Sequence, residues 1–144
     1  MSATAAAKRE IIRQFFEDIW TGQDMELADE VLDPEFSFVL PFVTLENREA
    51  FKQLVLHNHV AWQDLTYTLL DSVADDDEKG AAYWRSKGTH VNTWNGIEAT
   101  GNQMSIEGIT FFKFSNGKLS LALVQNDFTT LLHQLGVSEL PKRR

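Results

Sequence analysis

The stretch Gln103-Met104-Ser105-Ile106-Glu107-Gly108-Ile109-Thr110-Phe111-Phe112-Lys113-Phe114, followed by Asn116-Gly117 and then Lys118 to Phe128, decides the fold class. Both limbs are rich in β-branched and aromatic residues. The Asn-Gly pair between them is a strong two-residue hairpin signal, because both central positions of a type I′ turn need positive φ. Two long antiparallel strands are predicted here. A short helix over Thr129–Leu135 follows, stopped by Gly136.

Working outward, Ala81 to Val91 reads as a strand, and Leu65 to Val73 alternates in part. The polar run Asp75-Asp76-Asp77-Glu78-Lys79-Gly80 turns the chain between them. Trp94-Asn95-Gly96 and Ala99-Thr100-Gly101 form a second turn region. The first third is helical instead. Thr4 can cap a helix whose apolar residues Ile11, Ile12, Phe15, Phe16, Ile19 and Trp20 share one face, with Gly22 as the stop. Asp24 can cap a second helix through Leu27, Ala28, Val31 and Leu32, ended by Asp33-Pro34. Phe36 to Leu40 reads as a short strand limited by Pro41. Asn47 can cap a third helix carrying Phe51, Leu54, Val55, Asn58 and Trp62. Helices first and antiparallel hairpins second, without strand–helix–strand alternation, mean an α+β fold with helices on one face of a curved sheet.

The 144 residues suit one domain, with a core over about 5–136 and a tail over 137–144. A net charge of −8 speaks against nucleic acid, and the basic cluster Lys142-Arg143-Arg144 reads as a solvated tail. Without cysteine there is no disulfide, thiolate nucleophile or Cys-ligated metal. No apolar run approaches the roughly 18–20 residues of a membrane span, and Met1 to Ala7 lacks the order of a secretion leader. The expected location is cytoplasmic. His57 and His59 stand two apart on a helix and cannot jointly hold a metal. No glycine-rich phosphate loop follows a strand, so no metal and no cofactor are expected.

Strand phase selects the chemistry-bearing residues. In the strand ending at His90, the wet pair Arg85 and Lys87 puts Trp84, Ser86 and His90 on the inner face. In the last strand, Leu119, Leu121, Leu123, Gln125 and Asp127 share one phase, so Asp127 stands at the end of an apolar row. Two readings of Asp127 are open: a pocket-floor carboxylate, or a cap for the helix at Thr129-Thr130-Leu131-Leu132. His90 is likewise open between a core histidine and a partner in proton transfer. Trp20, Phe36, Phe38, Phe42, Trp62, Trp84 and Phe112 furnish core and cavity wall together.

The ordered set Gly88-Thr89-His90, Ala99-Thr100-Gly101, Asn116-Gly117-Lys118-Leu119, Asp127 and Gln134-Leu135-Gly136 resembles the SnoaL-like polyketide cyclases, within the nuclear-transport-factor-two-like superfamily. The resemblance runs from about Ala5 to Gly136. It implies a cystatin-like α+β barrel, a cone-shaped antiparallel or mixed sheet wrapped around a pocket with the N-terminal helices on its concave face, often as a homodimer. It also implies a cofactor-independent cyclase or isomerase of secondary metabolism, with Asp127 as acid/base assisted by His90, which with a water or Asn126 could hold the developing enolate. The substrate implied is a hydrophobic polyketide- or terpenoid-like carbonyl compound, handled by proton abstraction and return. The substrate-binding set implied is Trp20, Phe38, Phe42, His59, Trp62, Asp64, Trp84, Met104, Phe112, Leu123 and Gln125. Departures from the family pattern make the pocket more apolar: Phe38-Val39 stands where many relatives have a His, and Leu123 where many have a Trp. Gln63 replaces a family proline beside Asp64. Isomerisation, rearrangement or epoxide opening by the same pair therefore stays open, as do a ligand-binding member without catalysis and an interaction module.

Overall fold

The computed structural model describes residues 4–137; Lys142-Arg143-Arg144 lie outside them. The chain runs α1 (Ala5–Arg13), a π-helical segment (Gln14–Thr21), α2 (Met25–Val31), β1 (Leu32–Leu40), β2 (Val43–Leu45) and α3 (Arg48–Ala61). The hairpin region follows as β3 (Trp62–Ala74), β4 (Lys79–His90), β5 (Gln103–Ser115) and β6 (Lys118–Asn126), closed by α4 (Phe128–Gln134). One six-stranded sheet has the order β2-β1-β6-β5-β4-β3. All neighbours are antiparallel except β1 and β6, which run parallel. β2 and β3 are free edges, so the sheet is not closed on itself; it is the mixed sheet of the expected α+β class, with helices packed against it. No helix among the described residues is long and apolar enough to cross a membrane.

The caps read from the sequence are in place: each predicted cap oxygen accepts from an amide of the first turn, Thr4 from Ala7, Asp24 from Leu27 and Asn47 from Ala50.

 The hairpin at Asn116-Gly117 has φ of 53° and 78°, as a type I′ turn requires.

β2 is not among the strands read from the sequence and several strand ends shift by a few residues; three of the differences have a local reason. Helix α2 stops before Leu32, and Pro34 lies inside β1. It falls in the irregular stretch between Leu32 and Ser37 where pairing to β6 slips, so its missing N–H costs no regular ladder bond. Trp62 leaves α3 and opens β3, because it pairs with His90 while the Ala61 carbonyl accepts from Val91 and Asn92. The first helix widens to π geometry after Arg13. Its apolar pairs recur every four residues, a spacing that drifts about 40° per repeat on an α-helix of 3.6 residues per turn. The wider π turns counter that drift, and Phe15, Phe16, Ile19 and Trp20 all stay buried.

The helices pack on the concave face of the sheet, around an aromatic core. Phe15 stacks on Phe51 at 5.3 Å and meets Phe112 edge-on at 5.4 Å, while Trp20 meets Phe51 edge-on at 5.5 Å. Full burial of each such ring is worth about 1.5–3 kcal/mol. Thr21 ties the π segment to β3: its Oγ1 accepts from the Tyr67 amide at 2.8 Å and has the Phe16 and Tyr67 carbonyls within 3.1 Å as acceptors. Thr21→Val keeps the shape but leaves the Tyr67 amide without its partner. We expect a loss of about 1–3 kcal/mol in urea unfolding; an unchanged midpoint would show that Thr21 does not hold β3.

Candidate functional site

Two β-bulges bend β3, at Asp64-Leu65 and at Leu70, and set Tyr67 directly opposite Ser86 of β4. Ser86 in turn pairs with Ile106 of β5. One step along the sheet, Trp84 pairs with Gly108, and Gly108 with Asn126 of β6. A Cβ on Gly108 would lie 2.3 Å from Trp84 Cζ2, so glycine leaves the room in which the indole lies. Trp84 Nε1 then donates to Thr110 Oγ1 at 2.9 Å.

Between this inner face and the helices lies a cavity of about 370 Å³. Its inner end is walled by Phe15, Phe16, Trp20 and Trp84. At its mouth stand the exposed Phe42, His57, Thr93 and Asn95. Phe128 packs against both Phe42, at 5.1 Å, and Trp94, at 6.0 Å, to make an aromatic rim. All four tryptophans of the chain, Trp20, Trp62, Trp84 and Trp94, line the cavity. No Lys, Arg, Asp or Glu does so among the described residues.

Three polar groups stand out on this apolar wall. Burial pushes the Tyr67 phenol up to about 12, with the Ser86 hydroxyl opposing the shift, so Tyr67 is a neutral hydrogen-bond donor at physiological pH. Ser86 Oγ is buried without a well-formed hydrogen bond, and Asn126 Oδ1 is buried with no partner in the protein. Buried polar atoms are normally paired, so these two mark places where a ligand can bond. His57 adds an imidazole at the mouth.

Of the residues expected to bind substrate, Trp20, Phe38, Phe42, Trp62, Trp84 and Met104 line the cavity. Five do not. Phe112 faces inward but is covered by Phe15 and Phe16. His59 bonds the Trp20 carbonyl through Nε2, and Asp64 is exposed at the β3 bulge with φ of 55°. Leu123 and Gln125 are exposed on the outer face. Their phase is reversed by Ser120, the extra residue where Lys113 pairs with Leu121 but Phe114 pairs with Leu119. Beyond this bulge Ala122, Val124 and Asn126 turn inward.

The same reversal corrects the placement of the expected catalytic pair. Asp127 is exposed and caps α4, accepting from Thr130 N at 3.2 Å and Thr130 Oγ1 at 2.7 Å. These bonds hold its carboxyl below the usual carboxylate range. His90 is inward and fully buried, yet it lies behind Trp62, ring centroids 4.9 Å apart, and does not line the cavity. The structure therefore does not bring Asp127 and His90 together across the cavity. Tyr67 and His57 were not among the sequence candidates for ligand chemistry, and Asn126 was one only as an aid to His90. Ser86 shares the inner phase of Trp84, a signal that was readable; the inward phase of Asn126 required knowledge of the bulge.

A model of the SnoaL-like polyketide cyclase family matches residues 10–135. TsrD from Streptomyces laurentii superposes with a TM-score of 0.84 at 25% identity, over 93% of this chain and 98% of that one. A candidate SnoaL-like polyketide cyclase from Jannaschia sp. CCS1 gives 0.83 at 16% identity, over 98% of both chains. A protein of ketosteroid isomerase-like fold from Catenulispora acidiphila DSM 44928, in complex with trimethylamine, gives 0.73 at 13%, over 89% of this chain and 93% of that one. Among curated proteins, none matches.

Burial of His90 holds its imidazole below the ordinary value, against the opposing backbone groups of Asn92 and Ile97. The sign follows from proton uptake. Above about pH 6.5 the ring is neutral in both states and the stability is fully present. As pH falls from there through the lowered folded value, the unfolded chain takes up its proton first and stability declines. Thermal unfolding between pH 8 and 5 should therefore fall more steeply in the native chain than in His90→Leu; parallel curves would contradict the burial effect.

Proposed function

The chain belongs to the SnoaL-like polyketide cyclase family, and from that premise we propose that it binds an uncharged, hydrophobic, polyketide-like carbonyl compound in the cavity and assists its ring closure. The observation that carries this reading is the aromatic cavity of about 370 Å³ with Tyr67, Ser86 and Asn126 as its polar contacts. Holding a flexible chain folded brings its reacting carbons together, which supplies much of the advantage in an intramolecular condensation. Neutral donors then act on the oxygen. The Tyr67 hydroxyl can stabilise a carbonyl oxygen as it becomes an enolate, and Asn126 Oδ1 can accept from a ligand hydroxyl. His57 is the one imidazole among the described lining residues, so it is the group placed to remove the proton next to that carbonyl; the same proton then returns to the new alkoxide as the ring closes. Asp127 has no part in this scheme.

The absence of charged side chains from the wall, among the described residues, supports an uncharged ligand. A free carboxylate would lose its hydration with no cation to meet it, in a chain already carrying −8. A second reading, a binding protein without turnover, is favoured by one observation: no carboxylate lines the cavity among the described residues.

Because every tryptophan touches the cavity, intrinsic fluorescence reports its occupancy. We expect fused-ring ketones and esters to quench it, and the matching free acids to bind at least about tenfold more weakly. Tyr67→Phe and Asn126→Leu should each weaken binding by about tenfold, one charge-free hydrogen bond lost per site. Asp127→Asn should leave it unchanged. Conversion of an open-chain polycarbonyl ester to its cyclised product, followed by mass and absorbance, separates the two readings: binding without product leaves only the second. Equal binding of acids and esters would overturn the proposed ligand class.

A further inference from the structure

His90 is excluded from the cavity, yet it organises the segment that forms part of its mouth. The His90 amide donates to the Asn102 carbonyl and the Gly101 amide donates to the His90 carbonyl, both at 2.9 Å, so residues 91–102 leave and return at one residue. The imidazole joins them a third time. The Thr100 amide donates to His90 Nδ1 at 3.2 Å, and Thr100 Oγ1 lies 3.1 Å from the same nitrogen. Thr100 Oγ1 also accepts from the Asn102 amide. An amide N–H facing Nδ1 requires that nitrogen to be unprotonated, so the proton sits on Nε2, which is buried beside the Asn92 and Ile97 backbone without a well-formed hydrogen bond. The segment held in this way carries Thr93, Trp94 and Asn95 of the cavity mouth. The ring also backs Trp62, whose indole meets Trp94 edge-on at 5.6 Å.

We infer that His90 is a positioning residue: its neutral imidazole, accepting from Thr100 at Nδ1, latches residues 91–102 and so sets Trp94 and Trp62 on the cavity mouth. The inference rests on the cavity being the ligand site. It assigns the working atom as Nδ1, whereas a proton-transfer role facing substrate would need Nε2.

Side-chain replacement separates the two nitrogens. His90→Asn keeps an acceptor near Nδ1; His90→Gln reaches toward Nε2 and loses the acceptor at Nδ1; His90→Leu keeps neither. Two readouts are taken on each variant: hydrogen exchange at the Thr100 amide, and binding of 1,8-dihydroxyanthraquinone, an uncharged fused-ring diketone, by tryptophan quenching. The expected result is that His90→Asn retains slow exchange and near-native affinity. His90→Gln and His90→Leu should speed exchange and weaken the probe, each by about tenfold. Native behaviour in the glutamine variant with loss in the asparagine variant would overturn the inference, as would equal behaviour of all three. Should a variant not fold, ring ¹⁵N shifts of the native protein still decide: an unprotonated Nδ1 is expected, and an Nδ1–H tautomer overturns it. Failure of the native protein to bind the probe counts against the cavity as ligand site, while Thr100 exchange reports on the latch independently.

Discussion

Ser120 is the one residue of β6 without an opposite number on β5, and its hydroxyl donates to the Lys113 carbonyl at 3.2 Å across the irregularity. In a strand with a period of two, one extra residue exchanges the faces of everything beyond it. Leu119 is inward before the bulge; Ala122, Val124 and Asn126 are inward after it. The consequence for chemistry is direct. An amide, not a carboxylate, reaches the cavity from the end of β6, and Asp127 is left to cap α4.

The remaining parts of the cavity wall follow from how each strand and helix is held. Gly108 admits the Trp84 indole over β5. Thr21 joins the π segment to β3 beside Tyr67. Phe15 and Phe16 cover Phe112 and present their own rings to the cavity. The outcome is a wall of large aromatic surfaces with few polar atoms and, among the described residues, no Lys, Arg, Asp or Glu. In such a low-dielectric space a neutral hydroxyl or amide acts strongly on a carbonyl oxygen, while a bare charge is costly.

Most of the fold was legible because its signals are local. Asn116-Gly117 specifies a turn by backbone conformation alone, and Thr4, Asp24 and Asn47 mark helix starts through a single side-chain acceptor each. The inner phase of β4 was equally readable, since Arg85 and Lys87 had to face water and left Trp84, Ser86 and His90 inside. What could not be read depends on pairing between strands. The bulges at Ser120, Leu70 and Asp64-Leu65 are properties of register, and a lone strand carries no mark of them. Asp127 shows the cost: both readings of it were chemically sound, and the phase that chose between them was set by Ser120, seven residues earlier. His90 was correctly inward, but its burial behind Trp62 depended on Trp62 opening β3 instead of ending α3.

The central claim is that the ligand chemistry of this fold lies on the inner row of Tyr67, Ser86 and Asn126. A crystal structure with 1,8-dihydroxyanthraquinone bound tests it most directly. The account predicts ligand oxygens within hydrogen-bonding distance of Asn126 and of Tyr67 or Ser86, with Asp127 still bonded to Thr130. A ligand engaged by Asp127 after it leaves Thr130, or one lodged outside the cavity, would contradict it.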